Sequence, residues 1–242
     1  MAITLEIDGQ KVQAEPGTTV LEAAQRAGIR VPSLCHMDGI EPYGACRLCT
    51  VQITEGDRTT LQASCCYQVK EGLVVQTDAP RVIRGRRVLL ELLLARCSEV
   101  PAIRELAEEW GVCDTRFTPA GEDCALCGLC VRACAQLVGA EAIAFSGRGT
   151  GRTVGTPFGF PSDRCLACGV CTYVCPTGRL QMEAEMAARL RKQVGAERKC
   201  RYMLMGMVSD KLCPNNYDCQ RCGFDQSTEL RFGTHPVFAV AA

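Results

Sequence analysis

The feature that most restricts this chain is a cysteine run written twice. "CALCGLC" occupies residues 124–130 and "CLACGVC" residues 165–171. With the next cysteine of each, Cys124, Cys127, Cys130 and Cys134 are spaced C-x2-C-x2-C-x3-C, and Cys165, Cys168, Cys171 and Cys175 repeat that spacing. Intervals this tight let one loop wrap a polynuclear metal centre and point three sulfurs inward. Gly128 and Gly169 remove side chains where backbone must approach closely. Zinc more typically takes pairs of C-x2-C separated by a longer spacer.

The chain has 242 residues and 19 cysteines. Disulfide scaffolds are short, secreted and usually even in cysteine count. This chain is long and odd in count, and it opens "MAITLEIDGQ", without the basic stretch and apolar core of a secretory leader. The cysteines are therefore expected to work as thiolates in a reducing, cytoplasmic setting. Formal net charge is zero, so nothing points to nucleic acid or to an anionic membrane surface. The most apolar stretch, "VLLELLLA" at 88–95, falls far short of the ~20 residues that span a bilayer.

The chain reads as α+β in four parts. Residues 1–79 form the first. "ITLEID-GQ-KVQAE" alternates apolar and polar around Asp8-Gly9, which predicts a hairpin. Thr19 and Glu22 make a capping box, and Gly28 stops the helix that the box opens. A loop with Cys35, Cys46 and Cys49 leads to a strand in "CTVQIT", and Cys65 and Cys66 precede "GLVVQT". Residues 80–118 form a helical connector. "RVIRGRRVLLELLLARC" has apolar groups at helical spacing with arginines on the opposite face. "PAIRELAEEWG" begins at Pro101 and ends at Gly111. Residues 119–185 hold the doubled run. Between its halves lies "FSGRGTGRTVGTPFGFPSD", expected to be a turn-rich insertion, since it lacks the Gly-Lys-Ser/Thr ending of a phosphate loop. Residues 186–242 begin with a charged helix in "EAEMAARLRKQVG", continue as a small metal-binding segment with Cys200, Cys213, Cys219 and Cys222, and end in "HPVFAVAA".

The doubled run resembles bacterial two-cluster ferredoxins, in which the fourth cysteine of each run serves the other cluster. That resemblance assigns Cys124, Cys127, Cys130 and Cys175 to one 4Fe-4S cluster, and Cys165, Cys168, Cys171 and Cys134 to the other. Pro176 follows the second run as in that family, whereas Ala135 stands after Cys134. The first part is similar to the β-grasp, ferredoxin-like 2Fe-2S domain of the complex I large iron–sulfur subunit. NAD-linked hydrogenases and the accessory region of [FeFe] hydrogenases carry that domain too. The resemblance implies a 2Fe-2S cluster on Cys35, Cys46, Cys49 and Cys65, with Cys66 a neighbour and His36 a loop side chain. A Rieske centre needs two histidines and is excluded. "GRGTGRTVGTPF" also looks like the connecting segment of the small iron–sulfur subunit of NAD-linked hydrogenases. Many members carry one further cluster on a histidine and three cysteines. Here the middle offers only Cys97 and Cys113, so that cluster is expected to be absent and the two cysteines to pack as small hydrophobes. Cys200, Cys213, Cys219 and Cys222 fit either zinc or a further iron–sulfur cluster, and spacing leaves both open.

No nicotinamide or flavin fingerprint is present, and no nucleophile–histidine–acid set can be built from His36 and His235. The expectation is a non-catalytic electron-transfer subunit of a cytoplasmic oxidoreductase complex. The resemblance implies a flavin- and NAD(P)-binding partner on one side. It implies a catalytic subunit on the other, a hydrogenase first and a formate dehydrogenase next, and leaves electron bifurcation with soluble ferredoxin open. A free-standing poly-ferredoxin shuttle and a redox or metal sensor are the alternatives.

Overall fold

The structure is a computed structural model that describes residues 2–156, 162, 164–165, 168–180, 198–204, 207–215 and 219–232. It divides into two compact units, Met1–His36 with Pro42–Cys127, and Met37–Glu41 with Gly128–Ala242.

In the first unit, Asp8 and Gly9 take φ of 48° and 81°, the left-handed geometry of a two-residue turn between twisted strands. They join β1 (Ile3–Ile7) to β2 (Gln10–Ala14), paired antiparallel from Ile7↔Gln10 to Ile3↔Ala14. The capping box forms as the sequence predicts. The Thr19 hydroxyl accepts from Glu22 N–H, the Glu22 carboxylate accepts from Thr19 N–H, and α1 (Val20–Arg26) follows. Then come β3 (Thr50–Glu55), β4 (Arg58–Ala63) and β5 (Val74–Gln76). The five-stranded sheet is ordered β2-β1-β5-β3-β4, and β1 and β5 run parallel. Leu5, Ile7, Val12, Val20, Leu21, Val51, Ile53, Leu73 and Val75 make one buried core. This is the β-grasp arrangement of helix on sheet.

The sequence reading did not anticipate β4. It is an edge strand with few apolar residues, and only its link to β3 through Gly56 and Asp57, with Gly56 at φ 59°, marked the hairpin.

Two helices continue the unit, α2 (Pro80–Arg96) and α3 (Pro101–Glu109), each entered through proline. One expectation is corrected here. Arg81, Arg84 and Arg87 face solvent, but Arg86 points inward with Val82, Leu90 and Leu94, and is 5% exposed. It occupies the i+4 place in that stripe. Buried backbone carbonyls stand where a guanidinium can reach them, and Arg86 satisfies three. Its Nε donates to Leu48 O (3.3 Å), and Nη2 to Thr50 O (3.3 Å) and Thr77 O (3.2 Å). Thr77 in turn donates N–H and hydroxyl to the Asp8 carboxylate at 2.7 and 2.6 Å. The hairpin turn, the helix and the segment around Cys49 are thus tied together.

Among the described residues the second unit contains α4 (Leu129–Gln136), β6 (Ala144–Ser146), β7 (Thr153–Gly155), α5 (Val170–Tyr173), α6 (Arg201–Leu204) and α7 (Gly223–Phe232). Helices α4 and α5 pack on each other. Part of the glycine-rich insertion is more regular than expected, because β6 and β7 form an antiparallel hairpin. A Cβ on Gly147 would stand 2.3 Å from Gly151 O, so that turn closes only with glycine. The helix expected in "EAEMAARLRKQVG" and the "HPVFAVAA" tail lie outside the described residues. Among the described residues no helix is long and apolar enough to cross a membrane.

Candidate metal centres

Hairpin β3–β4 places two cysteines of the first unit face to face. Thr50 pairs with Ala63, so Cys49 and Cys65 flank the hairpin's open end, and their Sγ atoms are 3.4 Å apart. Ser64 N–H and hydroxyl both donate to Cys49 O, at 3.1 and 2.7 Å. Cys46 N–H donates to Cys35 Sγ at 3.4 Å. Cys35, Cys49 and Cys65 are essentially inaccessible, and Cys46 is half-buried.

The electrostatics follow from crowding. The contact with Cys65 pulls the Cys49 thiol down to about 6 despite burial. The same contact, with burial, pushes Cys65 up. Its contact with Cys35, and burial, push Cys46 up. So the nest holds one thiolate readily and resists more. A polycationic group would satisfy four crowded sulfurs together, so these residues fit an iron–sulfur cluster. The exposed Cys66 has its Sγ 3.5 Å from that of Cys65. Gly44, at φ 64°, passes so close that a Cβ would stand 2.9 Å from Cys66 Sγ. His36 is half-buried in the loop after Cys35.

The repeated sequence gives repeated backbone. Gly128 (φ 75°, ψ 6°) and Gly169 (φ 76°, ψ 0°) are left-handed residues that open α4 and α5. Cys130 and Cys134 lie on α4, Cys171 on α5, and Cys175 just beyond it. Cys134 Sγ accepts Ala142 N–H at 3.2 Å, and Cys124 Sγ accepts Leu126 N–H at 3.4 Å. Burial pushes Cys168 up to about 11, and the charges of Cys134 and Cys165 add to it. Burial pushes Cys171 up to about 12, with Cys168, Cys134 and Cys165 adding. Cys134 is thus an electrostatic neighbour of the second run. Burial acts upward on Cys175 too. There the Thr177 hydroxyl and the N–H groups of Leu180, Thr177 and Arg179 outweigh it, and the thiol moves down.

In the middle of the chain Cys97 is fully buried, as expected of a small hydrophobe, and burial raises its thiol to about 11. Cys113 is exposed, which corrects the expectation for it. It follows the buried Val112 just past the end of α3, where the chain turns outward.

Near the C-terminus an isolated bridge pairs Lys199 with Leu212. Cys200 N–H donates to Lys211 O, and Cys213 N–H to Arg198 O. Cys200 and Cys213 therefore sit on adjoining segments, and the Cys213 charge acts on Cys200. Cys219 and Cys222 share a turn closed by Cys222 N–H to Cys219 O, 3.0 Å. Buried Tyr202 reaches Asp225 Oδ1 at 2.5 Å, and its ring meets Phe224 edge-on. No disulfide joins any of the nineteen cysteines. Among the described residues no three His, Cys, Asp or Glu side chains are gathered around a position for one bare ion.

Sequence reasoning missed three contributors, Arg86, Gly44 and Thr177. Arg86 was visible as a charge on the apolar stripe of α2.

Residues 1–80 match the family described as 2Fe-2S iron-sulfur cluster binding domain, and residues 123–179 that described as 4Fe-4S dicluster domain. The protein is therefore an iron–sulfur protein with both domains in series. It is 32% identical over 208 residues to a NADH-quinone oxidoreductase subunit of Rhizobium meliloti, covering 74% of this chain and 24% of that one. Against NADP-reducing hydrogenase subunit HndD of Solidesulfovibrio fructosivorans it is 30% identical over 212 residues, covering 74% and 36%. A chain of a solved structure, NAD+-reducing [NiFe]-hydrogenase in the H2-reduced state, is 30% identical with TM-score 0.66, covering 75% of this chain and 88% of that one. The chain belongs to the family of iron–sulfur subunits shared by NAD(P)-linked oxidoreductases and hydrogenases. It spans about a quarter to a third of the curated relatives' own length.

Proposed function

We propose that this chain relays single electrons through three iron–sulfur centres inside a cytoplasmic oxidoreductase complex. Cys35, Cys46, Cys49 and Cys65 hold a 2Fe-2S centre. Cys124, Cys127, Cys130 and Cys175 hold one 4Fe-4S centre, and Cys165, Cys168, Cys171 and Cys134 the other. When bound, such centres supply one-electron chemistry with no bond made or broken. The protein's part is to hold the sulfurs, exclude water and set local charge. Ala142 and Leu126 N–H groups and the Thr177 hydroxyl are placed to steady negative charge on sulfur. The observation that carries the reading is the doubled run, opened by matching left-handed glycines on two packed helices. The charge of Cys134 at Cys168 and Cys171 supports the crossed ligand sets.

In this reading the working divisions are residues 1–79, 80–118, 119–185 and 186–242. One partner binds flavin and NAD(P). The other is catalytic, a hydrogenase first and a formate dehydrogenase next, with soluble ferredoxin the further partner if electrons bifurcate. Anaerobic purification from the native host, with every co-purifying chain identified by mass, tests this. A flavoprotein and a metal-containing catalytic subunit are expected. A brown chain that purifies alone as a monomer overturns it in favour of a free carrier.

Cys200, Cys213, Cys219 and Cys222 complete the proposal as a stabilising four-cysteine metal centre, whose four sulfurs the bound metal would draw together. The Tyr202–Asp225 bond supports it by pinning the turn after Cys200 to the helix after Cys222. Metal analysis names the occupant. About ten iron atoms with one zinc means zinc, and about fourteen iron atoms without zinc means a further cluster.

A further inference from the structure

We infer that Arg86 is a fixed positive charge that raises the reduction potential of the centre held by Cys49, and so sets where that centre stands in the electron relay. The inference rests on the reading of Cys35, Cys46, Cys49 and Cys65 as its ligands.

The geometry places the charge. Leu48 and Thr50 flank Cys49 in sequence, and the Arg86 guanidinium donates to the carbonyl of each at 3.3 Å. It therefore straddles the Cys49 backbone from the helix side. The side chain is 5% exposed, and the Trp110 ring covers it, with Cζ 4.5 Å from the ring centroid. Among the described residues no carboxylate forms an ion pair with it. The charges it feels are those of Cys49 and Asp78.

Burying a cation without an ion-pair partner is costly. The three carbonyls use the guanidinium's N–H groups, and a clamp has no use for the net charge that comes with them. A redox centre does. Two ferric ions, two sulfides and four thiolates sum to an anion. Reduction adds one electron from an external reductant, breaks no bond and makes the anion more negative. A guanidinium held in a region of low dielectric stabilises the reduced form more than the oxidised one. Arginine keeps that charge at any working pH.

The test is a potentiometric titration of the intact chain, followed by the EPR signal of the reduced 2Fe-2S centre. Arg86→Gln keeps two of the three N–H donors and removes the charge. It should lower the potential enough to cut the reduced-to-oxidised ratio about tenfold at fixed ambient potential, about 59 mV for one electron. Arg86→Lys keeps the charge and should stay near the parent. Asp78→Asn removes the exposed opposing charge and should move the potential up by a smaller amount. An unshifted Arg86→Gln with a parent-like spectrum overturns the inference, and so does an Arg86→Lys potential as low as that of Arg86→Gln. If Arg86→Gln fails to assemble, an Asp78→Asn titration with no upward shift overturns it. A parent protein with no 2Fe-2S signal removes the ligand reading itself, and the inference with it.

Discussion

The two units present cysteines in opposite ways. In the first, a five-stranded sheet and helix α1 bury an apolar core made mostly of aliphatic side chains. Two of its sulfurs, Cys49 and Cys65, flank the hairpin's open end, held by Ser64 and the strand register. In the second, strands β6 and β7 are three residues long and α5 is four. Among its described residues the buried apolar groups include Leu129, Val154, Val170 and Tyr202, scattered along the chain. The first unit is a fold that positions ligands. The second is a set of ligands that must position a fold, as expected where apolar burial alone is thin.

Stripping the metals should separate the two most strongly. After anaerobic chelation, limited proteolysis should cut freely between residues 128 and 180 and leave a resistant fragment containing the β-grasp sheet. Equal resistance in both units would break the comparison. Cys175→Ser comes next. It should remove about four iron atoms and the spectrum of the centre assigned to Cys124, Cys127 and Cys130, leaving the 2Fe-2S signal intact. Loss confined to the centre of Cys165, Cys168 and Cys171 contradicts the crossed ligand sets.

Within the first unit, Ile53→Ala should cost about 2–5 kcal/mol by cavity formation, read by urea unfolding of the metal-free protein. The smallest effect is Thr19→Ala, about 1 kcal/mol through the lost cap. It should lower the thermal midpoint of the first unit and leave every cluster spectrum unchanged.

Local chemistry was legible in the sequence wherever one residue type has one geometric use. Asp8-Gly9 could only be a tight turn, Thr19 with Glu22 only a cap, and the doubled run only a wrapping loop. What escaped depended on partners far along the chain. Edge strand β4 has few apolar residues and owes its pairing to β3. Arg86 looked like a solvent-facing charge because its reward lies in carbonyls 36 and 38 residues earlier. Cys113 looked like core because cysteine usually is, but the chain turns outward there. Close approach of Gly44 to Cys66 is likewise a fact of three dimensions that no spacing rule contains.

The link from Asp8 to Thr77 to Arg86 also has a consequence in time. Its ends meet across 69 residues of sequence between Asp8 and Thr77. A ribosome adding about 5–20 residues per second needs roughly 3–14 s to bridge that gap. Cys35, Cys46 and Cys49 are all made within that interval, before the residue that fastens their backbone exists. Each newly made chain therefore passes through a period in which these thiols are out but not yet locked. Metal arriving during synthesis would meet an open, pliable loop, and metal arriving afterwards a closed, braced one.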